Sequence, residues 1–114
     1  MFGMKMKWYP LFGSVQEMDD RFMGKQTLVH KTMFGEALLV KQKGTYLAFR
    51  NKCPHQGKPL NECRLEKEHI VCPYHQYHFS TETGRGHGLY LEKFELRIDE
   101  NGVFLGKEVW SLFL

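Results

Sequence analysis

The chain of 114 residues is 42% hydrophobic and 25% charged, with a formal net charge of +3. This length fits one domain, taken here as residues 1–114, which can bury a core without needing metal or disulfides to fold. The sequence excludes a membrane-spanning helix, which needs roughly 18 consecutive apolar residues, and its interspersed basic and acidic residues argue against nucleic-acid binding.

The N-terminal segment and the cysteine count indicate the compartment. Residues 1–13 include lysines but neither a continuous apolar stretch nor a small-residue cleavage site, so no signal peptide is predicted. The three cysteines are an odd number, which argues against a closed disulfide framework. We therefore expect a cytoplasmic protein with neither membrane nor nucleic acid as a partner.

Short strands separated by turns are predicted along most of the chain. One short helix is predicted at 14–23, with Ser14 as its N-cap and Glu17 three residues later. The strands that follow are predicted at 27–32, 36–42, 45–51, 69–73, 77–80, 93–98 and 103–106. The Asn101-Gly102 pair predicts a hairpin between the last two, since both residues tolerate a positive φ. Turns at about ten-residue intervals are typical of an all-β sandwich or barrel.

Soft metal ligands concentrate between residues 53 and 79, which hold all three cysteines and four of the six histidines. Cys53-x-His55 forms one box, and Cys72-x-x-His75 forms a second after sixteen intervening residues. Each box leaves a predicted strand, so the two loops would present two thiolates and two imidazoles around one point. This donor set suits zinc or an iron–sulfur cluster. The mixed boxes favour a [2Fe–2S] cluster, because each loop must reach both irons.

The segments CPHQGKPL and CPYHQYHFSTETGRG resemble the two-box signature of the Rieske family. The similarity extends over about residues 8–106 and includes the closing FELRIDENGVFLG segment. It implies an antiparallel β-sandwich or barrel with a small subdomain of two cluster-binding hairpin loops, at about 53–79. It also implies one Rieske-type [2Fe–2S] cluster, with Cys53 and Cys72 on the inner iron and His55 and His75 on the outer iron near solvent.

The sequence departs from the family pattern in three places. Lys58 and Tyr74 stand where high-potential members carry two further cysteines joined as a disulfide, which indicates a ferredoxin-type member of low potential. Gln76 replaces the glycine that usually follows the second ligand histidine. The segment 84–93, GRGHGLYLEK, lacks the proline of the lid that covers the cluster in many relatives.

Other reactive residues near the boxes have simpler interpretations. Cys63 is predicted to be a free thiol, and His78 a surface histidine on its strand. His87 lies in a loop that could approach the cluster, so a role in supporting the site or contacting a partner stays open. Tyr74 and Tyr77 flank His75 and serve either in packing or as hydroxyl donors to a cluster sulfur.

The resemblance implies a ferredoxin, a one-electron carrier from a reductase to a terminal oxygenase or similar redox enzyme, and not an enzyme by itself. No catalytic residue is assigned. The alternative is a small Rieske subunit docked in a larger oxidoreductase, such as a nitrite-reductase-like complex. The apolar segment 109–114, VWSLFL, favours that alternative if it meets a partner instead of docking back on the core. A zinc-bound interaction module and a redox or iron sensor also stay open.

Overall fold

The computed structural model describes residues 3–74 and 76–111, with the backbone alone at residues 110 and 111. Its elements in chain order are β1 (Gly3–Phe12), α1 (Val15–Phe22), β2 (Thr27–Thr32), β3 (Gly35–Gln42), β4 (Thr45–Arg50), β5 (Arg64–Glu66), β6 (His69–Val71), β7 (His78–Ser80), β8 (Arg85–Gly86), β9 (Leu89–Tyr90), β10 (Lys93–Asp99) and β11 (Gly102–Ser111). The prediction of an all-β fold with one short helix is confirmed. Within these ranges no helix has the length and apolarity to cross a membrane.

Six strands form an antiparallel sheet in the order β1-β11-β10-β4-β3-β2. Strand β10 joins its two halves, because residues 95–99 pair with β11 and residues 93–94 pair with β4. Beyond residue 106, β11 continues alongside β1 down to the Gly3–Ser111 pair. The first and last described strands therefore form a ribbon that extends past β10.

Two hydrophobic cores lie on opposite faces of β3. Side chains alternate across a strand, so Ala37 and Leu39 pack with the helix residues Met18 and Phe22 in the first core. Leu38 and Val40 face the second core, where they meet residues of a separate three-stranded sheet, β5-β6-β7. Cys53 and Cys72 belong to this second core, so the two boxes grow out of packed structure.

The local predictions hold where a turn or cap fixes the chain. The Ser14 hydroxyl accepts a hydrogen bond from the Glu17 N–H at 3.0 Å, which caps α1 as predicted. The Asn101-Gly102 hairpin is confirmed by the pairing of β10 with β11. The predicted strand 77–80 begins one residue later, at His78, because the Tyr77 carbonyl instead closes the second cysteine loop.

Four strands were not predicted: β1, β5, β8 and β9. Strand β1 lies at an edge of the sheet and pairs with β11, about a hundred residues away along the chain. Half of its residues are exposed and it contains Pro10, so it lacks the alternating apolar pattern of a half-buried strand. The apolar segment 109–114 is described only in part. The backbone of 109–111 pairs with β1, and 112–114 lie outside the described residues.

Candidate metal centre

The first cysteine loop is closed by its own backbone. The Cys53 N–H donates to the Lys58 carbonyl at 2.7 Å, and the Gly57 N–H donates to the Cys53 carbonyl at 2.7 Å. Gly57 has a φ of 72°, in the left-handed region that glycine adopts without steric cost. The loop thus turns sharply enough to close on its own first residue within six residues.

The second cysteine loop repeats the same pattern with different residues. The Cys72 N–H donates to the Tyr77 carbonyl at 2.8 Å, and the Gln76 N–H donates to the Cys72 carbonyl at 3.0 Å. Gln76 takes the position of Gly57 and has a φ of 58°, which is costly for a residue with a side chain. Gln76, which replaces the usual glycine after the second box, therefore adopts a left-handed conformation. The same two loop-closing hydrogen bonds surround it as surround Gly57.

The two loops bring their cysteine sulfurs together inside the second core. Cys53 and Cys72 are each 1% exposed, and their thiols lie within hydrogen-bonding reach of one another. Burial raises the pKa of the Cys53 thiol and the Cys72 thiol adds to the rise, whereas backbone hydrogen bonds from His55 and Gln56 lower it. These N–H donors are the groups that a thiolate ligand requires.

Three aromatic rings stack outward from the first loop. The His55 and Tyr77 ring centroids are 4.1 Å apart with an interplanar angle of 28°. The Tyr77 and His87 centroids are 4.7 Å apart at the same angle of 28°. The His78 N–H donates to His87 Nε2 at 3.0 Å. His87 is thereby fixed as the outer plate of a stack that ends on His55.

A tight hairpin delivers His87 to this stack, in the segment where relatives carry a lid. Strands β8 and β9 pair directly, and the two turn residues His87 and Gly88 have φ values of 54° and 74°, the signature of a two-residue hairpin turn. A Cβ on Gly86 would lie 1.8 Å from the His78 carbonyl oxygen. The hairpin therefore packs directly on the strand that follows the second loop, and the glycine spacing in GRGHG is the sequence signal for it.

Lys58 and Tyr74, which stand where high-potential relatives carry their two disulfide cysteines, contact each other in the structure. Lys58 Nζ lies 5.0 Å from the Tyr74 ring centroid, so a cation–π contact links the two loops there. The Cys53 and Cys72 thiols lie side by side, and the His55 ring stacks on Tyr77 of the second loop, whereas His75 lies outside the described residues. No three His, Cys, Asp or Glu side chains of the described segments converge on a site for a single metal ion.

Cys63 stays apart from the two loops. It is half-buried and packs against the second core, and burial raises the pKa of its thiol from 9.0 to about 11. None of the three cysteines is in a disulfide. A thiol with so high a pKa is protonated and unreactive at neutral pH.

Asn51 is a supporting residue that the sequence analysis missed. Its side chain is buried, where Oδ1 accepts from the Leu60 N–H at 2.8 Å and Nδ2 donates to Asn61 Oδ1 at 2.8 Å. It thus ties the end of β4 to the segment that follows the first loop. An asparagine between a strand and a C-x-H box gives no sequence signal for this role, since the partners are set by the tertiary structure.

Comparison with known sequences places the chain in context. A profile of the family described as "Rieske [2Fe-2S] domain" matches residues 7–91. The ferredoxin component of the alkene monooxygenase system of Xanthobacter autotrophicus is 35% identical over 77 residues, which are 64% of this chain and 63% of that protein. This chain therefore matches less than two thirds of that relative's length.

Solved structures confirm the fold. The ferredoxin of carbazole 1,9a-dioxygenase from Nocardioides aromaticivorans superposes with a TM-score of 0.63 at 20% identity, covering 70% of this chain and 83% of its own. The terminal oxygenase of the same system superposes with a TM-score of 0.70 at 17% identity. That match covers 86% of this chain and 29% of the oxygenase chain.

Proposed function

This chain belongs to the Rieske [2Fe–2S] domain family, whose domains hold one [2Fe–2S] cluster, and we propose that it works as a one-electron carrier of the ferredoxin type. The observation that carries the proposal is the pair of matching loops, which bury two adjacent thiols at one end of the second core. We also propose a cytoplasmic location, in keeping with three cysteines of which none is in a disulfide, as is usual in a reducing compartment.

The donor set fits such a cluster, and we propose Cys53, His55, Cys72 and His75 as its ligands. The thiols are buried side by side, and backbone N–H groups of the first loop point at one of them. His55 is only half-buried, as a ligand on the solvent side of the cluster would be. When bound, the cluster supplies reversible one-electron transfer.

We propose that electrons enter and leave on the side of His55. The thiols are closed off from water, whereas the histidine loop and Tyr74, which is 46% exposed, reach the surface. A reductase and a terminal oxygenase are the proposed partners. The support is that one relative is the ferredoxin component of a monooxygenase system, and that a ferredoxin of a dioxygenase system shares the fold.

The test is an absorption and EPR spectrum of protein purified without air, before and after dithionite. We expect a red-brown protein that bleaches in part and then shows a rhombic signal with an average g-value below that of a four-cysteine cluster. A colourless, EPR-silent protein with stoichiometric zinc would instead support the interaction module and overturn the carrier.

The second candidate, a subunit docked in a larger oxidoreductase, is favoured by the ribbon of β1 and β11. The ribbon extends past β10, and Met4 on it is 44% exposed. Sedimentation of the purified protein distinguishes the two candidates. A monomer in solution supports the free carrier, and isolation with a tightly bound second chain supports the docked subunit.

A further inference from the structure

We propose that the surface around the two loops binds an acidic surface of a protein redox partner. This surface, called the tip face below, consists of Lys52, Lys58, Tyr74, Arg85 and Tyr90. The inference rests on the proposed carrier function and adds the chemistry by which the partner is recognised. It is carried by the distribution of charge and of exposed tyrosines over the described residues.

Charge at the tip face is of one sign. The segments 52–60, 72–79 and 83–91 build the two loops and the hairpin, and they contain three cationic side chains and no carboxylate. Lys52, Lys58 and Arg85 are all exposed. None of them takes part in the ion pairs found among the described residues. Their charge is therefore available to an incoming anionic surface.

Two exposed tyrosines lie beneath cations on the same face. Tyr74 and Tyr90 are 46% and 47% exposed. Lys58 Nζ is 5.0 Å from the Tyr74 ring centroid, and the Arg85 guanidinium carbon is 5.5 Å from the Tyr90 ring centroid. Tyrosine and arginine are enriched at the energetic centres of protein interfaces. The cation–π contacts hold these side chains in place before a partner arrives, which lowers the entropy cost of binding.

The first loop connects the two tyrosine–cation pairs. Lys58 follows this loop and reaches Tyr74 on the second loop. On the other side, Tyr90 and Lys52 line a groove of about 730 Å³ together with Cys53, Pro54 and Gly57. The rest of the groove carries both signs of charge, from Arg50, Lys93, Lys107, Glu92, Glu95 and Glu108, and Glu92 is paired there with Arg50 and Lys107. Both pairs therefore border the loop that carries His55, the proposed electron exit.

Acidic residues gather at the opposite end of the molecule. Asp99 and Glu100 form the turn after β10, and that turn packs on the backbone of Phe12 and Gly13, next to the helix residues Glu17 and Asp20. Strand β10 runs from Lys93, which lines the groove, to this turn, a distance of roughly 20 Å at about 3.3 Å per residue. The far end also carries Arg21 and Arg97, and Arg97 lies 3.7 Å from Asp99. The five residues of the tip face include cations and no carboxylate, so an acidic partner would be steered toward the tip face.

The test is protein-film voltammetry of the loaded protein on gold coated with a carboxylate-terminated monolayer, with an amine-terminated monolayer as comparison. Electron exchange falls steeply with distance, so a strong wave requires the cluster side to face the coating. We expect a reversible one-electron wave on carboxylate, weakening as salt rises, and little current on amine. At about 10 mM ionic strength, where charges act over roughly 30 Å, Lys58→Glu and Arg85→Glu should each slow exchange on carboxylate about fivefold.

Lys25→Glu is the matched control. Lys25 is exposed and lines a small cavity beside the Lys43-Gly44 turn, at the end of β4 away from the loops. It changes the net charge by the same amount and should leave the rate unchanged. Equal effects of the three variants, or a film that binds carboxylate without a wave, would overturn the acidic docking face. The visible absorption spectrum of the same protein is recorded separately. Absence of the cluster absorption would overturn the proposed carrier function and not the docking face.

A second, independent observation is the ring stack, and its geometry points to His87 as a positioning residue for His55. His87 holds Tyr77 against His55, the proposed cluster ligand. The ring centroids of His87 and Tyr77 are 4.7 Å apart, and those of Tyr77 and His55 are 4.1 Å apart. Its own ring is fixed by the His78 N–H and by the hairpin turn. Tyr77 is thus clamped between two imidazoles and shields one side of His55 from water.

His87→Ala tests this assignment against His87→Phe, which restores a flat ring but not the acceptor nitrogen. Two ferric ions, two sulfides, two thiolates and neutral imidazoles carry no net charge, so reduction creates a charge that water stabilises. We expect His87→Ala to raise the reduction potential and shift the g-values of the reduced protein, and His87→Phe to restore both. Changes in melting temperature alone, with potential and g-values untouched in both variants, would show that His87 merely stabilises the hairpin.

Discussion

The two cysteine loops share a backbone and differ in what braces them. In each loop the cysteine N–H is bonded to the carbonyl five residues later, and its carbonyl accepts an N–H from four residues later. In the first loop Gly57 adopts the left-handed conformation, and the buried side chain of Asn51 supports the segment that follows. In the second loop Gln76 adopts that conformation, and the paired strands β6 and β7 flank the loop. The shape of both loops therefore follows from the same two backbone hydrogen bonds, whichever residue occupies the left-handed position.

The largest expected effect comes from removing a ligand from either loop. Cys53→Ser, Cys72→Ser, His55→Ala and His75→Ala should each lose the cluster, because each iron would keep too few protein donors. The measurement is iron and sulfide per chain together with visible absorption. His69→Ala is the control, since His69 bonds a backbone carbonyl at the β5–β6 turn. A ligand variant with full wild-type absorption would contradict the equivalence of the loops.

Removing the brace of the first loop should have the next largest effect. Asn51→Ala leaves the buried Leu60 N–H without its acceptor, which costs about 1–3 kcal/mol. We expect a melting temperature several degrees lower and faster cluster loss to a chelator. Asn61→Ala removes only the neighbouring amide contact and serves as control. Equal melting temperatures for wild type and Asn51→Ala would show that the first loop does not depend on this side chain.

Exchanging the turn residues sharpens the comparison further. Gln76→Gly should stabilise the protein by about 0.5–1 kcal/mol, because it relieves a left-handed residue whose cost is about 1–2 kcal/mol at the entropic expense of a glycine. Gly57→Gln should destabilise it by a similar amount, with a further close contact near the Lys52 side chain. Thermal unfolding measures both. If both substitutions shifted the melting temperature in the same direction, the two positions would not be equivalent.

The smallest effect is expected at Cys63, outside both loops. Its folded pKa of about 11 exceeds the ordinary value of 9.0, so between these values the unfolded chain loses the proton that the folded chain retains. Stability should therefore be unaffected below about pH 9 and fall as pH rises toward 11. Cys63→Ala should differ little from wild type in melting temperature at pH 7 and lose less stability at pH 10. Parallel pH dependences of the two proteins would contradict the burial of this thiol.

The sequence was sufficient for features that depend on local chemistry. Ser14 caps the helix and Asn101-Gly102 turns the last hairpin as predicted, because these signals act within a few residues. The C-x-H and C-x-x-H boxes likewise located the two loops. What escaped prediction depends on distant partners: β1 is stabilised by β11, and Asn51 by Leu60 and Asn61. His87 could be named as a candidate from its loop, but its stack on Tyr77 required the folded hairpin.

The most direct test of the account is pulsed EPR of the reduced protein, grown with ¹⁵N-labelled histidine and compared with unlabelled protein. If each loop gives the cluster one cysteine and one histidine, the reduced protein shows strong couplings to two histidine nitrogens, and these couplings change with the isotope. His55→Ala and His75→Ala, if any cluster remains, should each lose one of these couplings. A reduced cluster with no histidine nitrogen coupling would mean that the ligands lie elsewhere, and the two-loop account would fall.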